Sequence, residues 1–314
     1  MSRWPDNKKF AFSILDDTDC TTLQNGPIVY DYLRRYNIRI TKSVWMFDGE
    51  IRDDNKDIVG ETCQNNSYLK WVHKLKEQGH EIAYHSTSFS RSKRERVIEG
   101  LEVFKSFFGE YPKILAQHND TIPGESIYWG ANRVSGINRI IYKTIMFITR
   151  KYKNIYHGGS IDSPFYWGDI CKERIKYVRN FVYHNINTLR DCPMMPYHDP
   201  KRPLVNFWFA STEGANVNSF NACLSEENQQ KLENEGGACI MYTHFGKDFV
   251  QNGSLNSQFQ RLIAKIADRD GWFVPVSDIL DYLLEKKDNA IISNAERARL
   301  ERKWLINKIK TGTT

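Results

Sequence analysis

Three things are missing from this 314-residue chain, and each absence narrows the reading. No two of its six cysteines (Cys20, Cys63, Cys171, Cys192, Cys223 and Cys239) stand in a CxxC pair. Their scatter fits reduced, partly buried thiols better than a disulfide framework. No run of about 18 apolar residues is long enough to span a membrane, and the opening "MSRWPDNKKF" has no apolar signal region. A soluble, cytoplasmic protein is therefore expected. Nor is there a strong excess of one charge. The 44 basic and 38 acidic residues leave +6, spread along the chain. That suits an anionic ligand but is too weak to imply nucleic acid.

What is present is an alternation. "FAFSILDD" reads as a buried strand, "GPIVYDYLRRYNI" as a helix and "RITKSVWMF" as a second strand. "SYLKWVHKLKEQG", "HEIAYHST", "RSKRERVIEGLEVFKSFFG" and "PKILAQHN" continue the pattern. The middle is less regular. "INRIIYKTIMFITRKY" looks helical, while "NIYHGGS" and "RNFVYHNINTL" suit strands or ordered loops. Order returns with "LVNFWFAS", "EENQQKLENEGG", "ACIMYTHFG", "QFQRLIAKIADRDG" and "WFVPVSDILDYLLEKK". Repeated β and α units imply a mainly parallel sheet. Seven or eight units favour a distorted (β/α) barrel, and no GxGxxG follows the first strand to support a dinucleotide-binding sheet. Residues 1–290 are expected to form the barrel and 291–314 a charged, partly amphipathic helical tail.

In such barrels chemistry sits at the C-terminal ends of the strands. Strand one ends in Asp16, Asp17 and Asp19. Strand three ends in His85, strand four in His118 and Asn119, and "ACIMYTHFG" in His244. A lone strand-end His or Asp is ordinarily a satisfied polar residue or a helix cap. Four strands delivering them to one rim point to a site. Clustered carboxylates repel unless a cation lies between them, and carboxylate with imidazole suits zinc or another divalent metal.

At these residues the sequence resembles the polysaccharide deacetylases, the NodB-homology carbohydrate esterases. "SILDDTD" matches their first motif, "GHEIAYHSTS" their second and "GACIMYTHFG" their last; "GWFVPVSDILDYL" is similar to their final strand and helix. The resemblance spans about residues 9–286. It implies a metal-dependent hydrolase removing an N- or O-acetyl group from a sugar or glycan intermediate. By that match Asp16 is the catalytic base, Asp17 and His85 are metal ligands, and His244 is the general acid. The metal is expected to be zinc, with cobalt, nickel, manganese or iron as alternatives. The family's second motif carries another His four residues after the first, where this chain has Phe89. Its Arg-Pro motif after the fourth strand is also absent, and "ILAQHNDTIPGESIYWG" takes its place. His118 is expected to supply the missing ligand, and Asn119 to orient water or substrate.

Alternation along a strand puts Asp17 and Asp19 on one side and Asp16 on the other, so strict alternation would pair Asp17 with Asp19. Asp19 also suits a helix cap. Tyr128, Trp129 and Trp167, in two "YWG" turns, are candidates to stack on sugar rings. Arg133 and Arg139 are phosphate-binding candidates, and His157 is a spare ligand. His184 and His198 read as structural; His73 and His80 lie away from the rim. A degenerate carbohydrate- or partner-binding member of the same fold is the second reading. A barrel glycosidase using Asp16 and Asp17 is the third, and it leaves the rim histidines idle.

Overall fold

A computed structural model describes residues 4–52, 55–117, 124–148 and 157–311. Seven strands form the barrel: β1 Phe10–Asp16, β2 Thr41–Val44, β3 Glu81–Tyr84, β4 Ile114–Leu115, β5 Tyr177–Tyr183, β6 Phe207–Thr212 and β7 Ala238–Thr243. They pair in sequence order, all in parallel, and β7 closes on β1 over Ala11–Asp16. The hairpin β8 Val250–Gln251 and β9 Ser254–Leu255 lies apart. The last strand, β10 Gly271–Phe273, pairs with the first half of β1, whose second half pairs with β2.

The strands are near-continuous apolar runs because both faces are covered: the interior on one side and helices on the other. All seven residues of β1 are buried, as are all of β5 and β7. The fourth strand is much shorter than "PKILAQHN" implies. Long connections are helical, including Gly26–Arg35 after β1, Asn66–Glu77 before β3 and Gly136–Ile148 before β5.

The terminal helix Asn294–Thr311 is not a free tail. Leu300, Trp304 and Leu305 join the same core as the barrel. Its Glu301, fully buried, accepts from Asn138 Nδ2 at 3.0 Å and from Arg202 Nη2 at 3.1 Å. All six cysteines are free. Among the described residues no helix is long and apolar enough to cross a membrane.

Candidate active site

The loop after β1 sorts its three aspartates onto two sides. Asp16 points out between the sheet and the helix Gly26–Arg35. There it accepts from Tyr30 Oη at 2.9 Å and from the Phe245 amide at 2.9 Å, and it pairs with Lys42 Nζ at 2.9 Å. Asp16 and Lys42 are register partners on β1 and β2, and both are fully buried. The base role implied for Asp16 finds no support in this placement. Its oxygens are committed to three donors, and none of them is the side chain of Asp17, Asp19, His85 or His244.

Asp17 faces the interior. Arg179, midway along β5, crosses the barrel and clasps it with two hydrogen bonds, Nη1 to Oδ1 at 3.0 Å and Nη2 to Oδ2 at 2.6 Å. β1 and β5 are not neighbours in the sheet, so this pair spans the lumen. Arg179 also lies over the ring of Tyr242, 4.5 Å from its centroid. His85 stands between two carboxylates, with Nδ1 3.7 Å from Asp17 and Nε2 3.7 Å from Asp19. Its ring is 5.7 Å from that of Trp45. Ser86, immediately after it, has φ 98°, a conformation rare outside glycine that turns the chain sharply at the strand end. Phe89 is buried against Trp45, with ring centroids 5.5 Å apart. An apolar contact therefore fills the position where the family's second histidine would be.

Asp19 meets His244. The carboxylate oxygen Oδ2 is 2.7 Å from His244 Nε2, and His244 Nδ1 is 2.6 Å from the carbonyl of Ala215. With Asp19 ionised, carbonyl and carboxylate both only accept, so both ring nitrogens carry hydrogen and the ring is an imidazolium. The electrostatics agree. Burial works against the charged ring, but the Asp19 carboxylate outweighs it, and the His244 pKa stands above the ordinary histidine value. Lys247 Nζ lies 3.8 Å from the same oxygen and is the most exposed group of the cluster.

Two features fix this pairing. The Phe245 amide binds Asp16, which ties the loop after β7 to the end of β1. Gly246 then lets the two loops touch backbone to backbone. A Cβ there would meet the Cys20 carbonyl carbon at 2.3 Å and the Asp19 oxygen at 2.6 Å. The glycine of "THFG" is thus required by the approach that brings His244 to Asp19.

The aspartates are balanced by protein cations: Lys42 for Asp16, Arg179 for Asp17, His244 and Lys247 for Asp19. Among the described residues no group of three His, Cys, Asp or Glu side chains is arranged to hold a metal ion. With both oxygens of Asp17 on Arg179, and Phe89 apolar, the donor set described does not fit the implied three-ligand centre. His118 and Asn119 lie outside the described residues.

The aromatic candidates are placed differently. Trp167 is buried and donates from Nε1 to the Glu125 carbonyl at 2.6 Å. Trp129 is buried beneath the Arg133 guanidinium, 3.0 Å from the ring centroid. Tyr128, half-buried, lines a cavity of about 350 Å³, with Arg139, Ser160 and Lys201 among its walls. His157 is held by backbone hydrogen bonds to Gly124 and Ser160. The residues that the sequence pattern did not single out are Arg179, Lys42, Tyr30, Lys247 and Gly246. The signal for the first two was a lone basic residue inside an apolar strand.

No family model matches this chain. No curated protein sequence matches it. Solved structures do. A protein of Mycobacterium smegmatis described as a polysaccharide deacetylase superposes with a TM-score of 0.52 at 12% identity, over 93% of this chain and 96% of that one. The fold is that of the polysaccharide deacetylases. The Puue allantoinase superposes with a TM-score of 0.52 at 11% identity, covering 91% of this chain and 93% of its own. A Pseudomonas aeruginosa PAO1 protein, also described as a polysaccharide deacetylase, gives 0.50 at 11%, covering 91% and 94%. These likenesses concern the fold; the site residues rest on the geometry above.

Proposed function

We propose that the chain is a hydrolase that removes an acetyl group from an amino sugar or related glycan intermediate. The observation that carries the reading is the 2.7 Å Asp19–His244 hydrogen bond at the C-terminal rim of a deacetylase-type barrel. It holds a carboxylate base and an imidazolium acid side by side. In this scheme Asp19 takes a proton from a water as its oxygen attacks the acetyl carbonyl. His244 Nε2 gives its proton to the departing nitrogen or oxygen as the acyl bond breaks. The products are acetate and the free amine or alcohol. The proton on Asp19 then crosses to His244 and restores the pair. Lys247, beside Asp19, is the group we assign to the developing oxyanion. Asp16 is assigned a positioning role through Phe245.

No step is routed through a metal, because Asp17 is occupied by Arg179. Whether a divalent ion joins Asp17, His85 and His118 is tested by elemental analysis of the purified protein and by titration with zinc. One equivalent of tightly held ion would overturn the assignment of Arg179 as the partner of Asp17. The second reading, a non-catalytic carbohydrate-binding member, is favoured by that same clasp, which leaves a strand-end carboxylate with no free oxygen. A panel of acetylated amino sugars separates the readings. Released acetate that disappears in His244→Asn supports the hydrolase. Binding without acetate supports the alternative, and a new reducing end would indicate a glycosidase.

A further inference from the structure

From Ser126 to Ile161 the sequence contains no Asp or Glu but six Lys or Arg. Within this acid-free stretch lies the helix Gly136–Ile148. Its inner side is fixed: Asn138 Nδ2 donates to Glu301, and the Tyr142 ring stacks on Trp304 at 5.7 Å and 21°. The two helices run side by side in the same direction, since both contacts advance together. The outer side is apolar. Ile137 is 70% exposed, Ile140 66%, Ile141 41% and Ile148 73%. At 3.6 residues per turn these four fall within an arc of roughly 100°. Thr144 is the one exposed polar side chain within the arc and Lys143 is exposed next to its edge, while Arg139 lies farther round the helix, hydrogen-bonded to Asn132 at 2.9 Å. The neighbouring terminal helix adds exposed Ile306, Ile309 and Lys310. Apolar side chains so concentrated on one helix face, with a basic neighbour and no acidic residue in their own stretch, match a surface that lies in a lipid headgroup layer.

We infer that the outer face of the helix Gly136–Ile148 docks on an anionic lipid bilayer, lying in its interface without crossing it. The isoleucines enter the acyl boundary, and Lys143, with Lys310 of the neighbouring helix, reaches back to the lipid phosphates. The charge argument selects a membrane over a second copy of this chain, because two such faces would bring like charges together. This inference is independent of the reaction assigned to the barrel.

The test is cosedimentation of the full chain with vesicles of phosphatidylcholine alone and of phosphatidylcholine mixed with phosphatidylglycerol. Binding to the mixed vesicles that weakens with salt is expected, with little binding to phosphatidylcholine alone. Ile140→Glu/Ile141→Glu should lower it by at least about tenfold, and Ile137→Glu should weaken it too. All three side chains are exposed, so the variants should keep the wild-type melting transition. Lys143→Glu/Lys310→Glu should remove most of the salt dependence. No binding to mixed vesicles at low salt would overturn the inference. So would unchanged binding in a folded Ile137→Glu variant, or a dimer in sedimentation velocity that Ile140→Glu/Ile141→Glu dissolves.

Discussion

Replacing Arg179 with Met tests the charge balance at the barrel's centre. The pair is deeply buried, with side-chain exposures of 5% for Arg179 and 2% for Asp17. It has two hydrogen bonds, at 3.0 and 2.6 Å. Methionine keeps much of the aliphatic stem, so packing changes little while the Asp17 carboxylate loses its guanidinium. Breaking a buried pair from one side costs about 3–5 kcal/mol, because an uncompensated charge remains in a dry site. Proteins have a total stability of about 5–15 kcal/mol, so this is a large fraction. For a chain of this length it corresponds to a melting temperature lower by roughly 2 °C per kcal/mol. Urea denaturation followed by tryptophan fluorescence measures it directly. Asp17→Asn in the same background removes the stranded charge and should recover part of the loss, giving a coupling of about 2 kcal/mol in a double-mutant cycle. A loss below about 1 kcal/mol in Arg179→Met, or no coupling to Asp17, would refute the idea that the guanidinium balances this carboxylate.

Other consequences follow from the same geometry. Gly246→Ala forces a Cβ against the backbone of Asp19 and Cys20, which cannot swing aside as a side chain could. It should cost about 1–3 kcal/mol and lower turnover by separating His244 from Asp19, as read by melting and by acetate release. His80 is buried with Nδ1 accepting the Ile40 amide at 3.1 Å, and burial pushes its pKa down to about 4. An unfolded histidine takes up its proton near pH 6.5, so stability falls as pH drops from about 6.5 towards about 4. The full loss is about 3 kcal/mol. His80→Asn can still accept from Ile40 and should blunt the acid loss by about 2 kcal/mol between pH 7 and 4.5. An identical acid profile would show that His80 is not responsible. Lys42→Met leaves the buried Asp16 without its cation and should destabilise by about 3 kcal/mol or more. A neutral result in thermal melts would show that Tyr30 and Phe245 hold Asp16 without Lys42.

Much of this was legible in the sequence because strand ends carry two signals at once. In "FAFSILDDTD" the apolar run marks a strand covered on both faces, and the aspartates mark where it emerges. Alternation alone placed Asp17 and Asp19 together and Asp16 apart, and the structure has that division. The family pattern drew attention to Asp16 because motif matching follows order, not the face a side chain takes. What the sequence could not show was long-range charge pairing. Arg179 lies 162 positions from Asp17, inside "YVRNFVY", and nothing local says which carboxylate it meets. The terminal helix forms where the sequence places it, at Asn294–Thr311, but its partners were illegible for a related reason. "NAERARLERKWLINKIK" is rich in charge, yet Glu301 is buried against Arg202, Ser135 and Asn138 while Trp304 joins the core.

The most direct measurement is acetate release from acetylated amino sugars by the wild-type protein and by Asp19→Asn. Asparagine keeps the shape of Asp19 but neither takes a proton from water nor holds His244 charged. Acetate equimolar with free amine in the wild type, falling by about 100-fold or more in a folded Asp19→Asn protein, is the predicted result. Acetate release at the wild-type rate in Asp19→Asn, or none from the wild type across the panel, would contradict the account.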